Sequence, residues 1–326
     1  MTVLANPASW FAGYIADLPT PFDGNGELDL DGFAMLCERQ IDAGAAAIIV
    51  GETAGEASTL TSAERLRLVR CAIKTAQGRA RIIAGAGSNS TDRAIELTRQ
   101  AERAGADAVL SVVPYYNRPM QEGIVAHFRA IAASTALPVI LHDIPARTVR
   151  ELSDAALVRL TESAQFVGLL DGAGDIARPS RLQRRLPLHF RLLTGSDATA
   201  PVYMLAGGDG CVSAMANVTP RLCQAIHASL REGRLQSARL LSSRLSPIAE
   251  LLATDHPAAL KYALSRLGLM RSDTRLPLVP LDDAAKRLVE AAVVQLSDED
   301  LVNPRRALPA TPARDRACNG LPGDRP

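Results

Sequence analysis

The sequence is poor in lysine and aromatic residues, and its cysteines form no recognisable motif. Of 36 basic residues only three are lysines, Lys74, Lys261 and Lys286, so chemistry that needs a primary amine has three candidates. The five cysteines are scattered, odd in number and include no Cys-x-x-Cys pair. This pattern argues against a disulfide framework or a zinc site. It indicates reduced thiols and a cytoplasmic protein.

Long apolar runs and a strong charge of one sign are also missing. No run approaches the ~18 residues that a membrane helix needs, so no membrane span is expected. The N-terminal residues lack a basic segment followed by an apolar one, so a secretory signal is not expected. The formal net charge of +1 gives no reason to expect nucleic acid or an anionic membrane as partner. With 47% apolar and 22% charged residues, the chain has the composition of a folded domain.

Short apolar runs rich in β-branched residues recur along the chain, and each predicts a buried parallel strand. They are Gly13–Leu18, Ala46–Gly51, Arg81–Gly85, Ala108–Val113, Pro138–Asp143, Phe166–Leu170, Phe190–Gly195 and Gly210–Ala214. The segments between them have helical periodicity, so the pattern predicts a (β/α)₈ TIM barrel. A doubly wound sheet is the alternative. Its glycine-rich first turn has no good counterpart, because the run from Gly85 to Ser90 lacks the third glycine and follows the third strand.

The chain divides into four predicted regions. Residues 1–12 form a lead-in, residues 13–230 the barrel, and residues 231–300 a C-terminal helical extension built from three helical stretches. Residues 301–326 are rich in proline and arginine and poor in large apolar residues, which predicts a disordered tail.

In such a barrel the functional site lies at the C-terminal ends of the strands. The residues that follow the predicted strands are polar and include two arginines, whose planar side chains suit carboxylate or phosphate groups. We therefore expect a small anionic ligand. The candidates are Thr20, Glu52, Thr53, Ala54, Glu56, Ser88, Asn89, Tyr115, Tyr116, Asn117, Arg118, His142, Asp143, Arg147, Leu170, Asp171, Gly195, Ser196, Asp197, Ser213 and Asn217.

Five segments that contain many of these candidates together resemble the dihydrodipicolinate synthase / N-acetylneuraminate lyase family of pyruvate-dependent aldolases. The segments are Gly51–Leu60, Pro114–Gly123 (Pro-Tyr-Tyr-Asn-Arg-Pro-Met-Gln-Glu-Gly), Leu141–Thr148, Gly195–Asp197 and Gly210–Asn217. The resemblance runs from about residue 13 to about residue 296 and is closer to the dihydrodipicolinate synthase side. It implies a lysine on the sixth strand that forms a Schiff base with pyruvate, whose iminium then acts as an electron sink. It also implies a homotetramer built from dimers, and hence a homo-oligomer here.

The resemblance assigns roles to individual positions. Thr53 matches the relay threonine and Tyr116 the tyrosine that a neighbouring subunit supplies, with Tyr115 before it. Arg147 matches the arginine that holds a substrate carboxylate. Gly195 and Val212 match the pyruvate pocket.

Three positions depart from the family pattern. Ala54 replaces the second threonine of the strand-two motif, which helps hold the pyruvate carboxylate. His142 replaces the proton-shuttling tyrosine. Leu170 stands at the Schiff-base lysine, in Gly168-Leu169-Leu170-Asp171, and leucine has no nucleophile. The three lysines of the chain are expected on helices outside the barrel.

Three hypotheses about function follow. The first is an aldolase-type enzyme for a 2-oxo acid that works without a Schiff base, through Thr53, Tyr116 and His142. His142 would act as an acid or base, or hold a divalent metal with Glu52, Asp143, Asp171 or Asp197. No organic cofactor is expected. The second is an inactive paralogue that binds a carboxylate metabolite or scaffolds an active relative. The third is a Schiff-base lyase that uses another lysine.

Several candidates also have purely structural interpretations. Arg147 could pair with Asp143 or Asp171, and Glu56 is expected to hydrogen-bond within its tight turn. The arginines around the sixth helix, from Arg178 to Arg191, predict a solvated helix face.

Overall fold

Eight parallel strands close into a barrel in a computed structural model that describes residues 9–254 and 257–296. They pair in chain order, and the eighth pairs with the first from Gly13 opposite Gly210 to Ala16 opposite Ser213. The strands are β1 Gly13–Leu18, β2 Ala47–Val50, β3 Arg81–Gly85, β4 Ala108–Val112, β5 Val139–Asp143, β6 Phe166–Asp171, β7 Arg191–Thr194 and β8 Gly210–Ser213. The predicted TIM barrel is confirmed, and every predicted strand agrees to within one residue at either end.

Helices connect the strands and then continue as the C-terminal extension. They are α1 Leu30–Asp42, α2 Ser62–Ala76, α3 Thr91–Ala104, α4 Gln121–Ala132, α5 Pro145–Thr148, α6 Asp154–Leu160, α7 Arg178–Leu182, α8 Ala200–Leu205, α9 Met215–Val218, α10 Pro220–Arg231, α11 Leu235–Thr254, α12 Ala258–Arg266 and α13 Asp283–Val294. The local sequence determines where several of these helices begin. Thr61 and Glu64, for example, form a reciprocal capping box at the start of α2.

Two apolar cores result from the alternation of side chains along each strand. One fills the barrel interior and includes Ile15, Ile49, Ile83, Leu110 and Ile140. The other lies between the barrel and its helices. Because successive inward positions stack toward the mouth, the last inward residue of each strand lines the predicted site.

A buried ion pair joins the extension to the barrel. Lys261 on α12 contacts the carboxylate of Glu56, which follows β2, and donates a 2.6 Å hydrogen bond to the carbonyl oxygen of Asp273. The backbone N–H of Arg275 donates to the same carboxylate at 3.0 Å. The predicted packing of a helical extension on the barrel is therefore present. The predicted disordered tail at 301–326 lies outside the described residues.

Candidate functional site

Three titratable side chains meet at the mouth of the barrel. Residues two apart on a strand share a face, and Ile15 and Ile140 lie in the barrel interior. Asp17 and His142, two positions further along β1 and β5, therefore also face inward, one layer nearer the mouth. Glu52 lies two residues after the end of β2, and all three side chains are buried. We call Asp17, Glu52 and His142 the mouth triad.

His142 and Glu52 are in direct contact. The imidazole Nδ1 lies 3.0 Å from Oε1 of Glu52, and the Thr53 hydroxyl donates to the same oxygen at 3.4 Å. An ionised carboxylate only accepts hydrogen bonds, so it holds Nδ1 as the protonated nitrogen and leaves the lone pair on Nε2. This is the tautomer in which His142 can accept a proton from a ligand.

A glycine makes room for this pair. A Cβ on Gly85, at the end of β3, would lie 3.0 Å from Oε2 of Glu52 and only 2.2 Å from the carbonyl oxygen of Gly51. Only a residue without a side chain therefore fits beneath the Glu52 carboxylate.

Asp17 is the member of the triad that the sequence analysis missed. Its Oδ2 accepts a 2.8 Å hydrogen bond from the backbone N–H of Ala54. Its Oδ1 is buried and has no hydrogen-bond partner among the described residues. Burial raises the pKa of Asp17 well above its usual value, and the charge of Glu52 adds to this. One signal was available in the sequence, because Asp17 is the single charged residue in the otherwise uncharged strand β1.

Leu170 gives the mouth an apolar wall. It pairs in register with His142 on the neighbouring strand and belongs to the interior core, together with Val212. A Cβ on Gly195, at the end of β7, would lie 3.4 Å from Cδ1 of Leu170. Three of the predicted pocket positions, Leu170, Gly195 and Val212, are thus brought to the same side of the barrel.

The lysines lie away from this wall. Lys74 is on α2 and Lys286 on α13, as expected for helices outside the barrel. Lys261 is also outside the strands, but it is fully buried. Its ammonium group is held by Glu56 and lies 4.1 Å from the centre of the Phe22 ring. Burial lowers the pKa of Lys261, and the neighbouring Glu56 opposes that change. These contacts give Lys261 a structural role between barrel and extension.

The position of Arg178 differs from the expectation. The sequence predicts it on a solvated helix face, but it is buried and contacts the last residues of β5 and β6. Its guanidinium lies 2.8 Å from Asp143, 3.1 Å from Asp171 and 3.1 Å from Asp154. The helix α7 is too short to present a surface stripe, and three carboxylates compensate the buried charge.

The predicted carboxylate-binding arginine is not part of that cluster. Arg147 is exposed on α5, directly after β5. Arg178 forms ion pairs with both Asp143 and Asp171, so the interpretation in which Arg147 pairs with either aspartate is wrong. Glu56 has a structural role, as expected, but its carboxylate contacts Lys261 and the N–H of Arg275 instead of hydrogen-bonding within its own turn.

The two tyrosines after β4 extend away from the subunit. Tyr116 has a φ of 70° and is 90% exposed, and Tyr115 is 38% exposed. A left-handed backbone conformation is unfavourable for an aromatic residue and occurs where the surroundings require it. The structure thus places Tyr116 outside its own barrel mouth.

The described residues give no support to a metal site at His142. Asp143 and Asp171 are paired with Arg178, while Asp197 accepts hydrogen bonds from Ser213 and from the N–H groups of Ala214 and Met215. Burial raises the pKa of Asp197 to about 6. Among residues 9–254 and 257–296, no group of three or more His, Cys, Asp or Glu side chains could hold a metal ion. Within the same ranges, no helix combines the length and hydropathy that a membrane crossing requires.

Comparison with known proteins gives one consistent result. The profile of the Dihydrodipicolinate synthetase family matches residues 10–296. The chain is 42% identical over 289 residues to 4-hydroxy-tetrahydrodipicolinate synthase of Gluconobacter oxydans, covering 88% of this chain and 97% of the relative. It is 45% identical over 286 residues to the same-named protein of Hyphomonas neptunium, covering 87% and 97%. A crystal structure of the chloride-inhibited dihydrodipicolinate synthase from Acinetobacter baumannii, complexed with pyruvate, matches with a TM-score of 0.85 and 37% identity, covering 87% of this chain and 98% of that one.

Proposed function

The chain belongs to the dihydrodipicolinate synthetase family, and we propose that it binds a small 2-oxo acid at the barrel mouth and enolises it without a Schiff base. The observation that carries this proposal is the 3.0 Å contact between His142 and Glu52 beside Leu170. The resemblance assigns the family's amine to the position of Leu170, a hydrocarbon side chain, and an oriented base lies next to it. Base-catalysed enolisation needs such a base and needs no amine on the protein.

In this proposal, separate residues around the mouth triad bind the ligand and transfer protons. The exposed guanidinium of Arg147 would hold the ligand carboxylate, because a planar fork of donors matches that group. Nε2 of His142 would take a proton from the carbon next to the ketone. Thr53 hydrogen-bonds to Glu52 and would connect this base to Tyr116 of a second subunit.

The relatives support pyruvate as the ligand to test first. Those reported above are named as synthases, and the Acinetobacter protein was crystallised with pyruvate. The alternative of an inactive paralogue receives no support from these names. The alternative of a Schiff base on another lysine is weakened by the contacts of Lys261.

The experiment is deuterium exchange at the pyruvate methyl group, followed by proton NMR in heavy water. We expect exchange above the buffer rate that a chelator does not change. We also expect that borohydride traps no adduct on the protein. His142→Gln should slow exchange by about 10²–10⁴-fold, the usual contribution of a general base. His189→Gln, outside the mouth, is the matched control and should leave the rate unchanged. A wild-type rate equal to that of buffer would contradict the proposal, and loss of exchange with chelator would replace it with a metal-dependent one.

We further propose that the chain works as a homo-oligomer in the cytoplasm. An exposed tyrosine with a left-handed backbone, Tyr116, is suited to insertion into a second copy. The cysteines Cys37, Cys71, Cys211 and Cys223 are buried and form no disulfide, which fits a reducing compartment. Tyr116→Ala should shift the sedimentation equilibrium toward smaller species, and Tyr262→Ala on α12 is the control. An unchanged association constant in Tyr116→Ala would contradict the assignment.

A further inference from the structure

We propose that Asp17 is a further catalytic residue of this site, a neutral carboxylic acid whose Oδ1 donates a hydrogen bond to the ketone oxygen of the bound 2-oxo acid. The inference rests on the proposed function, because it assigns the acid that complements His142 as base. Neither the sequence motifs nor the resemblance points to this position.

The placement of the Asp17 carboxyl supports this role. The side chain lies on the inward face of β1, in the layer that forms the mouth. Oδ2 is fixed by the N–H of Ala54 at 2.8 Å, so the carboxyl group is oriented. Oδ1 is buried and has no hydrogen-bond partner within the described ranges. A buried polar atom without a partner is costly, and a ligand that supplies the partner recovers that cost.

Another carboxylate of the barrel, which is partly buried, shows the contrast. Asp197 lies after β7, and both of its oxygens are hydrogen-bonded. Ser213 donates to Oδ1, and the N–H groups of Ala214 and Met215 donate to Oδ2 at 3.1 Å each. Asp197 therefore stabilises the start of α9 and offers nothing to a ligand. Asp17 has one fixed oxygen and one unpartnered oxygen, as a group that acts on a ligand requires.

The protonation state fits a donor. Burial raises the pKa of Asp17 well above its usual value, and Glu52, the charged group that faces it, raises it further. His142 contacts Glu52 at 3.0 Å. On the backbone side, the Asn217 amide donates to the carbonyl oxygen of Asp17 and carries no charge. The carboxyl group thus carries its proton at pH values where an exposed aspartate is ionised.

The chemistry also requires such a donor. In enolisation the carbon–hydrogen bond breaks, its electron pair forms the carbon–carbon double bond, and the ketone π electrons move to oxygen. His142 gains the proton from carbon, and the oxygen takes up the proton of Asp17, so the products are an enol, an imidazolium and a carboxylate. Return of the protons restores the ketone, with deuterium from heavy water. Without an iminium, a neutral carboxylic acid can stabilise the developing oxyanion, a role for which ketosteroid isomerase is the known precedent.

The test compares Asp17→Asn with Asp31→Asn, an exposed aspartate on α1. Asparagine keeps the size and can still accept from Ala54, but it has no acidic proton. We expect Asp17→Asn to slow pyruvate methyl exchange by about 10²–10³-fold, as removal of an oxyanion donor does. The dissociation constant for pyruvate, measured by calorimetry, should change by less than about threefold if the group acts mainly in the transition state. Asp31→Asn should match the wild-type protein.

The pH profile separates catalysis from a structural effect. In the wild-type protein the exchange rate should fall on the alkaline side as Asp17 ionises, and this limb should be absent in Asp17→Asn. The same pKa should appear in the carboxyl carbon NMR signal of Asp17, assigned in the wild-type protein, so the test stands even if the variant does not fold. An exchange rate in folded Asp17→Asn within about twofold of wild type would overturn the inference, as would an alkaline limb that does not follow the Asp17 titration. In either case wild-type exchange would persist, whereas failure of the proposed function would abolish it.

Discussion

His142 and Glu52 lie 90 positions apart in the sequence and 3.0 Å apart in the folded protein. His142 is the penultimate residue of β5 and Glu52 follows β2, so only closure of the barrel brings them together. Their contact fixes which imidazole nitrogen is free. The carboxylate would also stabilise the imidazolium that the proposed proton transfer forms on His142, as the aspartate of a catalytic triad does.

Removing the charge of Glu52 should therefore slow catalysis without abolishing pyruvate binding. We expect Glu52→Gln to reduce the pyruvate exchange rate by about 10- to 100-fold, the usual effect of losing a residue that orients a functional histidine. The measurement is methyl exchange by NMR, with Glu122→Gln, an exposed residue on α4, as the control. A rate in Glu52→Gln equal to wild type would show that the contact is not used.

Introducing an amine at position 170 tests the proposal that the chain works without a Schiff base because Leu170 lacks a nucleophile. Leu170 is buried beside His142 and faces the same mouth, so Leu170→Lys places a nucleophile next to His142. We expect borohydride to trap a pyruvate adduct on this lysine, detected by peptide mass spectrometry. Leu170→Lys combined with His142→Tyr should give the stronger lyase activity, because it introduces at both positions the residues that the resemblance assigns to the family.

The control for this experiment is a lysine placed on the surface. Leu188→Lys, at a position that is 96% exposed, should give no adduct. If Leu170→Lys is folded, binds pyruvate and still gives no adduct, position 170 is not the place from which an amine reaches the ketone.

Arg178 should be important for stability rather than for chemistry. Arg178→Met leaves Asp143 and Asp171 buried without their partner. We expect a loss of about 3–5 kcal/mol in the free energy of unfolding, the usual cost of breaking a buried ion pair. Arg181→Met, which removes half-exposed pairs with Asp154 and Asp175, should cost far less, because solvent screens exposed ion pairs. Urea unfolding of the two variants measures the difference, and equal losses would refute the buried cluster.

The sequence predicts the barrel well because its signal is local. Each strand is a short apolar run, and its alternation decides which side chains face inward. The resemblance singles out His142 and Leu170, and the structure places them in register on neighbouring strands. Asp17 and Arg178 are missed or misassigned for a physical reason. What they do depends on partners that lie far away in the chain, such as Glu52 for Asp17 and Asp143 for Arg178. Counting charges on a predicted helix cannot show that the helix turns one of them inward.

Asp17 should also make the stability of the protein depend on pH in a predictable direction. In the unfolded chain the pKa of Asp17 is about 3.9. In the folded protein, burial and the charge of Glu52 raise this pKa well above that value. Folding therefore takes up a proton between the two pKa values. The stability that neutral Asp17 contributes is complete below its unfolded pKa and is lost as the pH rises through its folded pKa.

Asp17→Asn removes this titration and so isolates it from every other group. We expect the free energy of unfolding of the wild-type protein, relative to Asp17→Asn, to fall by about 1.4 kcal/mol per pH unit between the two pKa values and to level off above the higher one. Urea unfolding at a series of pH values gives both curves, and Asp31→Asn should run parallel to wild type throughout. If the Asp17→Asn curve also runs parallel, the carboxyl group is ionised in the folded protein. Asp17 would then be unable to donate a proton to a ligand, because a carboxylate that has already lost its proton can only accept hydrogen bonds.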